Sequence, residues 1–152
     1  MRDNQHRQPP TEAERQRRSE SRRATTMRNF IRDLERYCNL PVEDLPRTAE
    51  SVLCALEQRL TVEEAHDMES QLPANLQDLL VRCDRHAGLK KRSFDLEALY
   101  TMVGDDLNLR AGDVPPVVRA VFRAVKDQIS EGESQDVASQ LPADIREIWW
   151  NA

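Results

Sequence analysis

With 152 residues, 39% hydrophobic side chains, 32% charged ones and only four glycines, the chain has the composition of one helical domain with a polar extension. No apolar run approaches the roughly 18–20 residues that cross a bilayer, and the first ten residues lack an apolar stretch, so neither a membrane span nor an export leader is expected. The net charge of −5 is unevenly spread: residues 1–28 hold eight arginines against four acidic side chains, a balance of +4, which leaves −9 on the remainder.

Residues 1–24 contain no large apolar side chain except Met1. Such a stretch has too little to bury to offset the entropy of ordering it, so a disordered arginine-rich tail is expected. The run from Thr11 to Arg15 would lengthen the first helix backwards, but without an apolar stripe that helix is marginal. From Met27 onward, the spacing of Phe30, Ile31, Leu34 and Cys38 predicts the first packed helix, which Pro41 ends. Asp44-Leu45-Pro46 opens a second, with Ala49, Val52, Leu53, Leu56 and Leu60 on one stripe.

Thr61 and Glu64 read as a capping box, in which the hydroxyl takes the Glu64 amide and the carboxylate returns to the Thr61 amide. The third helix turns Ala65, Met68 and Leu72 inward. Pro73 starts a fourth, which carries Leu76, Leu79, Leu80 and Cys83. A connector over 85–92 leads to a fifth helix from about Ser93, with Leu96, Leu99, Tyr100 and Val103 inward. A loop holding Gly104, Gly112, Pro115 and Pro116 is expected next. Val118, Val121, Phe122, Val125 and Ile129 then repeat the stripe of the second helix. Ser130 and Glu133 repeat the capping box, Val137 and Leu141 mark the seventh helix, and Ile145, Ile148 and Trp149 the eighth.

That repetition runs through most of the chain without gaps. Gln71-Leu72-Pro73-Ala74 returns as Gln140-Leu141-Pro142-Ala143, an offset of 69 residues. Self-similarity at a fixed offset marks one structural unit used twice. The expected fold is all-α: eight helices in two tandem, pseudo-symmetric four-helix repeats on one shared core. Residues 1–24 form the tail and 25–152 the domain, with repeat one over 25–88 and repeat two over 93–152.

The candidate sites are few. In the Gln-Leu-Pro-Ala motif, Leu72 and Leu141 plug the core while Pro starts the next helix; a paired recognition loop is the functional alternative. Asp67 and Asp136 match each other, as do Glu64 and Glu133, but capping accounts for the glutamates and the aspartates are expected on solvated faces. Cys83 and His86 make a Cys-x-x-His pair without the second pair that a structural zinc site needs, so no metal or cofactor is expected. Cys38, Cys54 and Cys83 read as buried thiols of a reducing compartment, which makes the bacterial cytoplasm the expected location. Arg15, Arg17, Arg18, Arg22 and Arg23 are candidate contacts to nucleic acid through phosphate neutralisation, weak at best because the body is acidic. Trp150, about 100° round the helix from core-facing Trp149, is a candidate protein contact.

The twinned stretches Leu60 to Leu80 and Ile129 to Trp149 carry a family resemblance, above all Leu-Pro-Ala-x-Leu-x-Asp-Leu-Leu at 72–80 and Leu-Pro-Ala-x-Ile-x-Glu-Ile-Trp at 141–149. Over about residues 27–150 the chain resembles the prokaryotic domain of unknown function 2267. The resemblance implies a small, all-helical, two-repeat bacterial protein, and it brings no activity, cofactor or catalytic residue. The segment from Gly104 to Leu109 departs from the repeat, and the arginine-rich tail lies outside it.

The expected role is a non-enzymatic interaction or adaptor protein with a protein partner or self-association. One alternative is a nucleic-acid-associated protein tethered by its tail. Another is a hydrolase or metal-dependent enzyme using Asp67, Asp136, Cys83 or His86.

Overall fold

The computed structural model describes residues 8–81, 83 and 94–152. Eight α-helices and no strand occur among the described residues. The first, α1 (Glu12–Tyr37), begins far earlier than the apolar pattern predicts. Residues 12–24, expected to be disordered, are helical; residues 1–7 lie outside the described residues. The physical reason is a complete capping box: the Thr11 hydroxyl accepts from the Glu14 amide at 3.2 Å, and the Glu14 carboxylate accepts from the Thr11 amide at 2.9 Å. Behind it, Ala, Glu, Arg and Gln are strong helix formers, and nucleation is supplied by the packed turns around Phe30 and Leu34. The lack of an apolar stripe leaves this part exposed, but it does not unwind it.

A single 3₁₀ turn over Val42–Asp44 leads into α2 (Leu45–Glu57), followed by α3 (Val62–Ser70) and α4 (Ala74–Val81). The second half runs α5 (Leu96–Leu107), a 3₁₀ turn over Ala111–Asp113, α6 (Val114–Gln128), α7 (Glu131–Gln140) and α8 (Ala143–Asn151). From the 3₁₀ turn onward each element starts 69 positions after its counterpart, at 42 and 111, 45 and 114, 62 and 131, and 74 and 143. Both stripes predicted for the second helix of each half, Ala49 to Leu60 and Val118 to Ile129, are buried throughout.

The halves interlock. α1 packs chiefly on α6 and α5 on α2, so the first helix of each half lies against the second helix of the other. α2 and α6 touch along the centre, and α3 meets α7 at one end. One core results, with Phe30, Leu34, Leu53, Leu56, Phe122 and Trp149 fully enclosed. Polar links cross the same boundary: the Arg47 guanidinium meets Asp106 at 3.0 Å, and the Tyr37 hydroxyl donates to Asp127 at 2.7 Å beneath the Arg123 guanidinium.

The segment from Gly104 to Pro116 is more helical than expected. Gly104 lies inside α5, because a β-carbon there would stand 3.1 Å from Val114 Cγ2; the missing side chain lets α5 approach the start of α6. Asn108 ends α5 in the left-handed region at φ 53°, a conformation that asparagine tolerates. Pro115 and Pro116 sit in the first turn of α6, where no amide is needed, rather than in a loop.

Candidate functional site

The Gln-Leu-Pro motif does more than turn a corner. Leu72 and Leu141 are buried, as the spacing predicts. The glutamines in front of them reach across to the opposite half. Gln140 Oε1 accepts from the Thr61 amide at 2.8 Å, while its Nε2 lies 3.3 Å from the Thr61 hydroxyl. Gln71 Oε1 accepts from the Ser130 amide at 2.7 Å. Each half therefore caps the third helix of the other.

This exchange corrects the expected capping boxes. Their first half is present: the Thr61 and Ser130 hydroxyls accept from the Glu64 and Glu133 amides at 3.2 and 3.1 Å. The returning carboxylate bond is absent, because a glutamine from the other half of the chain holds each N-cap amide. Glu64 and Glu133 are thereby released from capping and turn into the seam between α3 and α7.

There the carboxylates of Glu64, Glu133 and Asp136 come together, each offering an oxygen within 4.8 Å of the others. Glu133 is only 8% exposed, and Oε1 of both glutamates is sealed from solvent with no donor from the rest of the protein. Burial, then a hydrogen bond with the facing Glu64 carboxyl and its charge, then the charges of Asp67 and Asp136 push Glu133 up to about 8. Asp67 and Asp136 are exposed as expected, but Asp136 is not isolated: it forms the solvent edge of the trio. Residue spacing alone could not reveal this set, because the glutamates already had a satisfactory role as caps.

A second acidic pair lies between α2 and α3. Burial, a hydrogen bond with Glu69 and the neighbouring Cys83 push Glu57 up to about 10. Cys54 and Cys83 are buried and Cys38 is half-buried, none in a disulfide among the described residues. Burial raises the Cys38 thiol, which keeps it protonated. His86 lies outside the described residues, so the Cys83–His86 pair is not placed.

At the other end of the sequence, α1 runs about 27 Å from Glu12 to Asn29 before Phe30, its first buried residue. Arg15, Arg17, Arg18, Arg22 and Arg23 are all exposed on this arm. Arg15, Arg18 and Arg22 share one face at i, i+3 and i+7. Arg36 pairs with Asp33 and Arg47 with Asp106, whereas none of these five arm arginines forms an ion pair with a carboxylate of the described residues.

Trp149 is enclosed, its indole donating to the Ser134 carbonyl at 3.1 Å with Phe122 edge-on at 5.3 Å between centroids. Trp150 is 46% exposed, with the Lys126 ammonium 5.9 Å from its ring centroid. Lys126 also donates to the Trp149 carbonyl at 2.7 Å, so a cation closes the C-terminal end of α8.

The family described as "Uncharacterized conserved protein (DUF2267)" matches residues 27–148. The chain belongs to that family. The DUF2267 region takes in the interlocked core, both Gln-Leu-Pro corners and the acidic seam, and it leaves the arginine arm outside. No curated protein matches the chain. No helix among the described residues is long and apolar enough to cross a membrane.

Proposed function

We propose that this DUF2267 protein is a non-enzymatic interaction protein of the bacterial cytoplasm, whose contact element is the arginine arm of α1 and whose partner is a polyanion, nucleic acid first. The observation that carries this reading is the arm itself: a capped, solvent-exposed helix with five arginines that form no ion pair with a carboxylate of the described residues. A preformed helix binds phosphates with less ordering cost than a disordered tail, since its backbone is already fixed. Contacts to phosphates are blind to sequence and release counterions. With about four phosphates neutralised, affinity should fall roughly a hundredfold between 50 and 200 mM salt. The acidic body limits it to micromolar or weaker.

Fluorescence anisotropy with labelled duplex DNA and single-stranded RNA tests the reading. Arg15→Glu/Arg18→Glu/Arg22→Glu should abolish binding at low salt without lowering the melting temperature, because all three residues are exposed. Equal binding by wild type and triple variant, or no binding by either at 50 mM salt, removes the proposal. Binding to an acidic protein but not to nucleic acid would keep the arm as contact and replace the partner. Trp150, with its half-exposed indole, supplies a second contact face for a protein partner or a second copy.

A further inference from the structure

We propose that the seam between α3 and α7 is a divalent-cation site, in which Glu64, Glu133 and Asp136 hold a hard cation that ties the two halves of the molecule together.

Geometry supplies the first argument. Oxygen ligands that sit about 2.1–2.4 Å from a magnesium, manganese or calcium ion lie roughly 3–4.8 Å from one another. The three carboxylate groups offer oxygens mutually within 4.8 Å, contributed by two helices from different repeats.

The second argument is the state of the side chains. Glu133 is more than nine-tenths buried, and its Oε1 is closed off from water with no donor from the rest of the protein; across the seam its carboxyl faces that of Glu64. Glu64 Oε1 is sealed in the same way. Neither glutamate, nor Asp136, takes part in an ion pair among the described residues. A single shared proton can join the two glutamates, but it does not engage Asp136 at the solvent edge. A divalent cation answers all three at once.

Ligand chemistry sets the class of ion. The donors are all carboxylate oxygens, with neither thiolate nor imidazole in the trio, which favours magnesium, manganese or calcium over zinc or copper. Asp136 is exposed, so it provides both the entry side and the face on which water completes the coordination shell. The glutamates can serve only because Gln71 and Gln140 hold the N-cap amides they would otherwise bind. The swapped caps and the cation site are two parts of one joint.

The test uses the full chain stripped with EDTA and held at constant ionic strength. Thermal melts and calorimetric titrations are run with magnesium, manganese and calcium chloride up to about 5 mM. At least one of the three should bind one ion per chain, and at about a hundredfold excess over Kd should raise the melting temperature by roughly 5–10 °C. Glu133→Gln, which keeps the side-chain volume, should remove both the binding and the shift. Asp136→Asn, an exposed change that leaves the fold intact, should weaken binding about tenfold or more. Should Glu133→Gln fail to fold, the Asp136→Asn titration decides the matter alone. The site is refuted if no ion gives a saturable shift, or if the shift is as large in Asp136→Asn as in wild type. The latter result would mean that metal ions merely screen an acidic body.

Discussion

Replacing Gln140 with alanine tests whether the exchanged caps hold the two halves together. Gln140 makes two hydrogen bonds to Thr61, one to its amide at 2.8 Å and one to its hydroxyl at 3.3 Å. Each such bond contributes about 0.5–1.5 kcal/mol net, so Gln140→Ala should cost about 1–2 kcal/mol and lower the melting temperature by roughly 3–8 °C. One response limits the loss. Glu64, three residues beyond Thr61, can swing out of the seam and close the ordinary capping box on the vacated amide. Gln140→Ala/Glu64→Ala should therefore cost more than the two single changes together, by at least about 0.5 kcal/mol. Chemical denaturation measures the four stabilities of the cycle, and hydrogen exchange at the Thr61 amide reports the cap directly. If Gln140→Ala leaves both stability and Thr61 exchange unchanged, the contact contributes nothing and the latch reasoning fails.

Leu56→Ala and Val125→Ala should each cost about 2–4 kcal/mol by urea denaturation, because both side chains are fully enclosed in the shared core. Stability should fall as pH rises. Glu57, pushed up to about 10 by burial and by Glu69, keeps a proton that the unfolded chain releases above about 4.5, so its contribution is whole below that value and is lost as pH climbs through the folded one. The slope is at most about 1.4 kcal/mol per pH unit, and Glu57→Gln should flatten it in melts between pH 5 and 8. Thr11→Ala should unravel the start of the arm, seen as lost helical circular dichroism, without moving the main melting transition, since residues 12–26 touch little of the core.

What the sequence could disclose was whatever burial imposes on it. The stripes on α2 and α6 and the plugs Leu72 and Leu141 are legible because an enclosed helix face must be apolar at fixed intervals. The helix over residues 12–24 is not legible by the same criterion, which finds nothing on an exposed helix; caps and propensity hold that segment, and both are weak sequence signals. The seam escaped for a different reason. Thr61 and Glu64 satisfy the local capping pattern completely, and only the fold reveals that a glutamine 79 residues away has taken over one half of the bargain. A local motif states which bonds are available, not which partner wins. The clue that was readable is the identity of Gln71 and Gln140: a corner needs only Leu and Pro, and the amide in front of both corners had no role within its own repeat.

The two halves are least alike in their first helices. α5 starts at Leu96, whose counterpart by the offset of 69 is Met27, yet α1 starts fifteen residues earlier at Glu12. At the N-terminus of α5, Asp95 caps through the Ala98 amide, and Asp144 from α8 takes the Leu96 amide at 2.8 Å, so the helix is stopped and pinned to its own half. α1 has no such stop at Met27 and continues outward until the Thr11 capping box. Among the described residues, the basic arm of α1 has no counterpart on α5, and it distinguishes one half from the other. The polyanion would be held at one end of α1, while α3 and α7 meet at the joint where the third helices are capped in exchange. If the arm and the joint act independently, Glu133→Gln should leave nucleic-acid affinity untouched, and the arginine triple variant should leave the metal-induced shift untouched. Cross-effects in either direction would instead mean that the packing of α1 on α6 transmits between them.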